Sequence, residues 1–108
     1  MSVRAKKHLG QHFLKDKNIC KKIAEQFQHH QGVKTAIEIG PGMGALTEYL
    51  LQDPETELYV MDVDTESIDY LKIHYPQLGE RIIFGDFLKM DPTKIVEQKP
   101  FAVVGNFP

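Results

Sequence analysis

The 108-residue chain has one cysteine, Cys20, so no disulfide can form within it, and a disulfide-stapled secreted fold is excluded. No apolar run approaches the roughly 18 residues that a membrane span requires. The first eighteen residues are too polar and too basic to hold the apolar core of a signal peptide, and a cytoplasmic protein is expected. Five histidines and the single cysteine show no ligand spacing, so no metal site is expected. Internal repeats, linkers and low-complexity tracts are also missing. What remains is 42% apolar and 26% charged, a globular mixture that excludes disorder by composition and suffices for one core.

The net charge of −2 hides a strong asymmetry. Residues 1–34 carry eight basic side chains, among them Arg4, Lys6 and Lys7, against Asp16 and Glu25, a balance of +6. Residues 35–108 carry five basic and thirteen acidic groups, a balance of −8. A basic arm ahead of an acidic body suits a polyanion such as RNA, because neutralising phosphates drives that binding. Charge alone fits a solvated N-terminus equally well. The expected division is a basic arm and helix over residues 1–34 and a ligand-binding body over residues 35–108.

Along the chain, Asp16 is placed to cap a helix whose Ile19, Cys20, Ile23, Ala24 and Phe27 share one face, with Gly32 closing the segment. Thr35 to Ile39 reads as a strand that stops at Gly40, Gly42 and Gly44. Leu46, Tyr49 and Leu50 then fall at helical spacing, with Pro54 soon after. Leu58 to Met61 is a continuously apolar strand ending at Asp62. Asp64 caps a helix carrying Ile68, Leu71 and Tyr75 that Pro76 terminates. Arg81 to Phe84 is a third strand ending at Gly85-Asp86, a short helix is expected from Asp91-Pro92 to about Glu97, and Phe101 to Val104 is a fourth strand. Such alternation, without in–out polarity in the strands, predicts an α/β fold: a parallel sheet with helices on both faces and right-handed crossovers. Ligands in such sheets bind at the carboxyl ends of the strands.

Those ends carry the candidate site. Glu38-Ile39-Gly40-Pro41-Gly42-Met43-Gly44 places a glycine turn between strand and helix, where a backbone without Cβ atoms can approach a ligand closely. Asp62, twenty residues beyond Gly42, is positioned to accept hydrogen bonds from two ribose hydroxyls. Two cofactors compete. Gly40-x-Gly42-x-x-Ala45 satisfies the loose dinucleotide fingerprint, but Glu38 puts a carboxylate where a pyrophosphate would suffer and a methionine ammonium would gain. Asp86 is placed to accept from an adenine amino group. S-adenosylmethionine is therefore favoured over NAD.

Three segments taken in order resemble a known family: Gly10-Gln11-His12-Phe13-Leu14, Glu38-Ile39-Gly40-Pro41-Gly42 and Asn106-Phe107-Pro108. Together they look like the ribosomal RNA adenine N6,N6-dimethyltransferases, most closely the small-subunit enzymes, with the large-subunit enzymes as near relatives. The resemblance runs through all 108 residues. It implies a Rossmann-like methyltransferase fold that uses S-adenosylmethionine on small-subunit ribosomal RNA. His12 and Leu14 would contact the methionine end of the cofactor, and Gly40 and Gly42 would line its pocket beside Glu38. Asp62 would hold the ribose and Asp86 the adenine amine. Asn106, also counted among the cofactor-binding residues, would with Pro108 in the same motif orient the target amine toward the methyl group.

Three departures accompany the match. Asp62 stands where many relatives have Glu, and His12 where Asn is common. The sequence also stops at Pro108, ahead of the aromatic residue expected to stack on the target adenine. The expectation is thus the first half of the cofactor-binding domain, truncated after its fourth strand. It should bind cofactor weakly, methylate no RNA by itself and self-associate through an open sheet edge. Two other readings stay open: a nucleotide- or RNA-binding module without catalysis, and an NAD-dependent oxidoreductase.

Overall fold

The structure, a computed structural model, describes residues 17–28 and 32–105. Helix α1 (Lys17–Gln28) buries Cys20, Ala24 and Phe27, while Lys17, Lys21, Lys22 and Glu25 face solvent, as the apolar spacing predicts. Asp16, the expected cap, lies outside the described residues. Four strands follow: β1 (Thr35–Ile39), β2 (Glu57–Asp62), β3 (Ile82–Phe84) and β4 (Phe101–Gly105). All pair in parallel, in the order β3-β2-β1-β4. Helix α2 (Ala45–Leu50) connects β1 to β2, and α3 (Thr65–His74) leads through a 3-10 turn (Pro76–Arg81) to β3. Asp64 caps α3 as expected, accepting from the Glu66 amide at 3.0 Å and from the Ser67 hydroxyl at 3.2 Å.

Register and alternation divide the core in two. Ala36, Leu58, Val60 and Ile82 point to one face, where they meet Cys20, Ala24 and Phe27 of α1, Leu46 and Leu50 of α2, and Ile68 and Leu71 of α3. Each large apolar side chain withdrawn from water here contributes about 1.5–3 kcal/mol. Ile37 and Met61 point to the opposite face and are equally buried. The chain returns to β4 across that second face after α4 (Pro92–Ile95): Val96 is fully buried, and Lys99 donates to Glu57 at 2.8 Å.

Several boundaries differ from expectation: β2 runs from Glu57 to Asp62, β4 takes in Gly105, and two others have tertiary causes. Strand β3 begins at Ile82 rather than Arg81, because Arg81 closes the preceding turn and donates from Nε to the Leu58 carbonyl at 2.9 Å. Helix α4 stops at Ile95 rather than near Glu97, since Glu97 and Gln98 adopt φ of 55° and 65°. That left-handed pair is uncommon for such residues, and it turns the chain so that Lys99 reaches Glu57.

Candidate functional site

Parallel strands in register bring their carboxyl ends to one rim. Ile39 lies opposite Met61 and Gly105, and Asp62 opposite Phe84. The ladders continue one step further, with the Gly40 amide donating to Met61 O at 2.9 Å and the Gly85 amide to Asp62 O at 3.0 Å. From this rim the chain turns through residues 40–44 into α2. At Gly42 φ is +57°, a conformation that suits glycine, and a Cβ there would meet nothing within 4 Å, although Pro41, Gly42 and Gly44 are themselves buried and only Met43 is exposed.

Asp62 fastens that turn to the neighbouring strand. Its carboxylate, 5% exposed, accepts from the Gly42 amide at 3.2 Å and, through the other oxygen, from the Asp64 amide at 3.0 Å. One side chain therefore holds both the glycine turn and the start of α3. Each carboxylate oxygen keeps a further lone pair.

Glu38 lies inside, fully buried on β1. The Thr47 hydroxyl of α2 donates to its Oε1 at 2.6 Å, and its Oε2 is buried with no hydrogen-bond partner. This carboxyl is raised to about 8: burial is the main cause, the Thr47 hydrogen bond opposes it, and the charge of Asp62 adds to it. At neutral pH Glu38 therefore holds its proton most of the time. A buried, unpartnered oxygen is what a polar ligand or a water would satisfy.

Asp86, on the rim beyond β3, is half-buried and accepts from the Leu88 amide at 3.0 Å, capping the 3-10 turn Phe87–Lys89. Glu38, Gly40, Gly42 and Asp62 thus come together on adjacent strands, and Asp86 stands at the next strand end along the same rim. Arg4, Lys6, Lys7, His12, Leu14, Asn106 and Pro108 lie outside the described residues. Gly105, which precedes Asn106, tolerates no side chain, because a Cβ would sit 2.4 Å from the Ile39 carbonyl oxygen. His74 is exposed and stacks on Tyr70 with ring centroids 4.0 Å apart.

Sequence reading missed two residues of this neighbourhood. Thr47 had one available signal, a hydroxyl between the buried positions Leu46 and Leu50. Tyr75 had none, for its partner Gly44 is 31 residues away. Among the described residues no group of three His, Cys, Asp or Glu side chains could hold a metal ion, and no helix is long and apolar enough to cross a membrane.

Comparisons with known proteins cover nearly the whole chain. The family model for ribosomal RNA adenine dimethylase matches residues 2–108. A ribosomal RNA small subunit methyltransferase A from Flavobacterium johnsoniae is 52% identical over 106 residues, covering 98% of this chain and 40% of the relative. Its namesake from Cytophaga hutchinsonii is 51% identical over 98% of this chain and 41% of the relative. The one from Porphyromonas gingivalis is 41% identical over 100% of this chain and 42% of the relative. The chain thus spans about two fifths of the length of these relatives. With a parallel rim that carries the glycine turn and its carboxylates, and a match along nearly its whole length, the chain belongs to the ribosomal RNA adenine dimethylase family.

Proposed function

We propose that this chain is the S-adenosylmethionine-binding part of a cytoplasmic methyltransferase that dimethylates N6 of adenines in small-subunit ribosomal RNA. The observation that carries the reading is the glycine turn clasped by Asp62, with the unpartnered oxygen of Glu38 buried beside it. This donor and acceptor set fits the cofactor. The free lone pairs of Asp62 suit two ribose hydroxyls, and an ammonium, directly or through a water, would satisfy Glu38. When bound, S-adenosylmethionine supplies an electrophilic methyl group on a positively charged sulfur.

The chain's own residues bind and orient. Gly40 and Gly42 leave the approach free of side chains, Asp62 fixes the ribose, and the second oxygen of Asp86 accepts from the adenine amine. His12 and Leu14 are assigned to the methionine end, and Asn106 with Pro108 to the target amine. A neutral amine attacking a sulfonium needs no strong base, so positioning carries most of the catalysis. Arg4, Lys6 and Lys7, on the proposed arm of residues 1–34, are assigned to RNA phosphates. The relatives' shared name, ribosomal RNA small subunit methyltransferase A, supports the choice of RNA.

Titration calorimetry with S-adenosylhomocysteine and with NAD tests the reading. Heat of binding is expected from the first and none from the second, and Asp62→Asn should weaken binding about tenfold or more. The Asn amide nitrogen cannot accept the second of the two hydrogen bonds that the carboxylate accepts. Binding of NAD in place of S-adenosylhomocysteine would overturn the proposal.

A further inference from the structure

We infer that Tyr75 is a positioning residue for the ligand site, holding the far end of the glycine turn as Asp62 holds its middle. This deepens the function proposed above and rests on it. Tyr75 follows α3 directly, and its hydroxyl donates to the Gly44 carbonyl at 3.2 Å. The same carbonyl accepts the Glu48 amide at 2.9 Å, the hydrogen bond that opens α2. The ring also lies against Gly44: a Cβ on that glycine would stand 2.5 Å from Cε2, 2.9 Å from Cζ and 2.9 Å from the hydroxyl oxygen. Gly44 therefore lacks a side chain partly because Tyr75 occupies the space.

The root of the tyrosine is fixed as firmly as its tip. Its amide donates to Leu71 O at 2.7 Å, its carbonyl accepts from Leu78 at 3.1 Å, and Pro76 follows. Leu71 and Leu78 are buried in the core. Helix α3 thus spans the turn from both sides. It starts beside Asp62, which bonds Gly42 and Asp64, and it ends at Tyr75, which bonds Gly44. Gly44 also sets where α2 begins, and α2 carries Thr47, the hydroxyl that grips Glu38 at 2.6 Å. Loosening Tyr75 would therefore disturb the turn directly and, through α2 and Thr47, the buried carboxyl of Glu38.

Tyr75→Phe keeps the ring and removes only the hydroxyl, so it folds as the parent does. The expected result is an affinity for S-adenosylhomocysteine about three- to tenfold weaker, because the loosened turn must be ordered on binding. The ligand-free parent makes the same Tyr75–Gly44 bond, so the variant's thermal midpoint should fall by about 2–8 °C. Faster amide hydrogen exchange is expected at Gly44, whose N–H bonds Pro41 O at 2.9 Å. Tyr70→Phe, whose half-buried ring stacks on the exposed His74, serves as the control and should leave affinity unchanged. Equal affinity in Tyr75→Phe and the parent, or the same loss in Tyr70→Phe, would overturn the inference. If the parent chain binds no S-adenosylhomocysteine, the functional reading falls, and the exchange measurement alone decides: equal Gly44 exchange then overturns the role of Tyr75.

Discussion

Glu38 is the residue whose environment is least at ease. A buried carboxyl with one hydrogen bond and one orphaned oxygen costs stability when ionised, and the fold avoids that cost by keeping the proton. The unfolded chain releases the same proton near pH 4.5, whereas the folded chain keeps it to about pH 8. Between those values the unfolded state binds fewer protons, so stability falls as pH rises and levels off above about 8. Glu38→Gln removes the titration. Its stability relative to the parent should therefore grow between pH 5 and pH 8 by an amount on the order of a few kcal/mol. Urea unfolding of both proteins at pH 5, 6, 7 and 8 checks this; parallel profiles would contradict it. The same property makes Glu38 suited to a cationic ligand, which would let the carboxyl ionise in place.

At the scale of elements, the rim depends on how closely strands and turns can approach. Gly105 ends β4 beside Ile39 with no room for a Cβ. Gly105→Ala should cost about 1–3 kcal/mol through this backbone clash, read as a lower urea midpoint. An unchanged midpoint would mean that β4 can move away from β1 freely. Most elements were legible beforehand because their signals are local. Apolar runs marked β1, β2 and β4, Asp64 and Asp91 marked helix starts, and Pro76 marked the end of α3. Two of the misplaced boundaries have tertiary causes: Arg81 is drawn into its turn by the Leu58 carbonyl, and the left-handed Glu97-Gln98 pair goes with Lys99 on Glu57. The site divides in the same way. The glycine turn and Asp62 announce themselves by spacing, while Thr47 and Tyr75 act through partners 9 and 31 residues away that only folding brings near.

At the scale of the whole molecule, the described sheet ends at β4, which has β1 on one side and no strand on the other. Val103 is exposed there, and a hollow of about 210 Å³ lined by Ile23, Phe27, Ala102 and Val104 opens between α1 and the strand. An unpaired edge beside apolar surface favours pairing with another chain. The 108-residue chain is therefore expected to self-associate as its concentration rises, and Val103→Lys should reduce that association. Sizing chromatography showing a clean monomer at high concentration would count against it. Asymmetry of another kind runs the length of the molecule: residues 1–34 are basic, while the acidic groups gather in the body that carries the rim. If Arg4, Lys6 and Lys7 engage phosphates, affinity for a short RNA should fall steeply with added salt. Fluorescence anisotropy at two salt concentrations would show this, and an affinity indifferent to salt would remove the arm from the account.

The central claim is that one rim of this sheet grips an adenosyl ligand. An amide-resolved NMR titration with S-adenosylhomocysteine tests it most directly. The account predicts that Gly40, Gly42, Gly44, Asp64 and Asp86 move together and saturably, while amides in the middle of α1 stay still. Shifts scattered over the sheet without saturation, or none at the glycine turn, would contradict it.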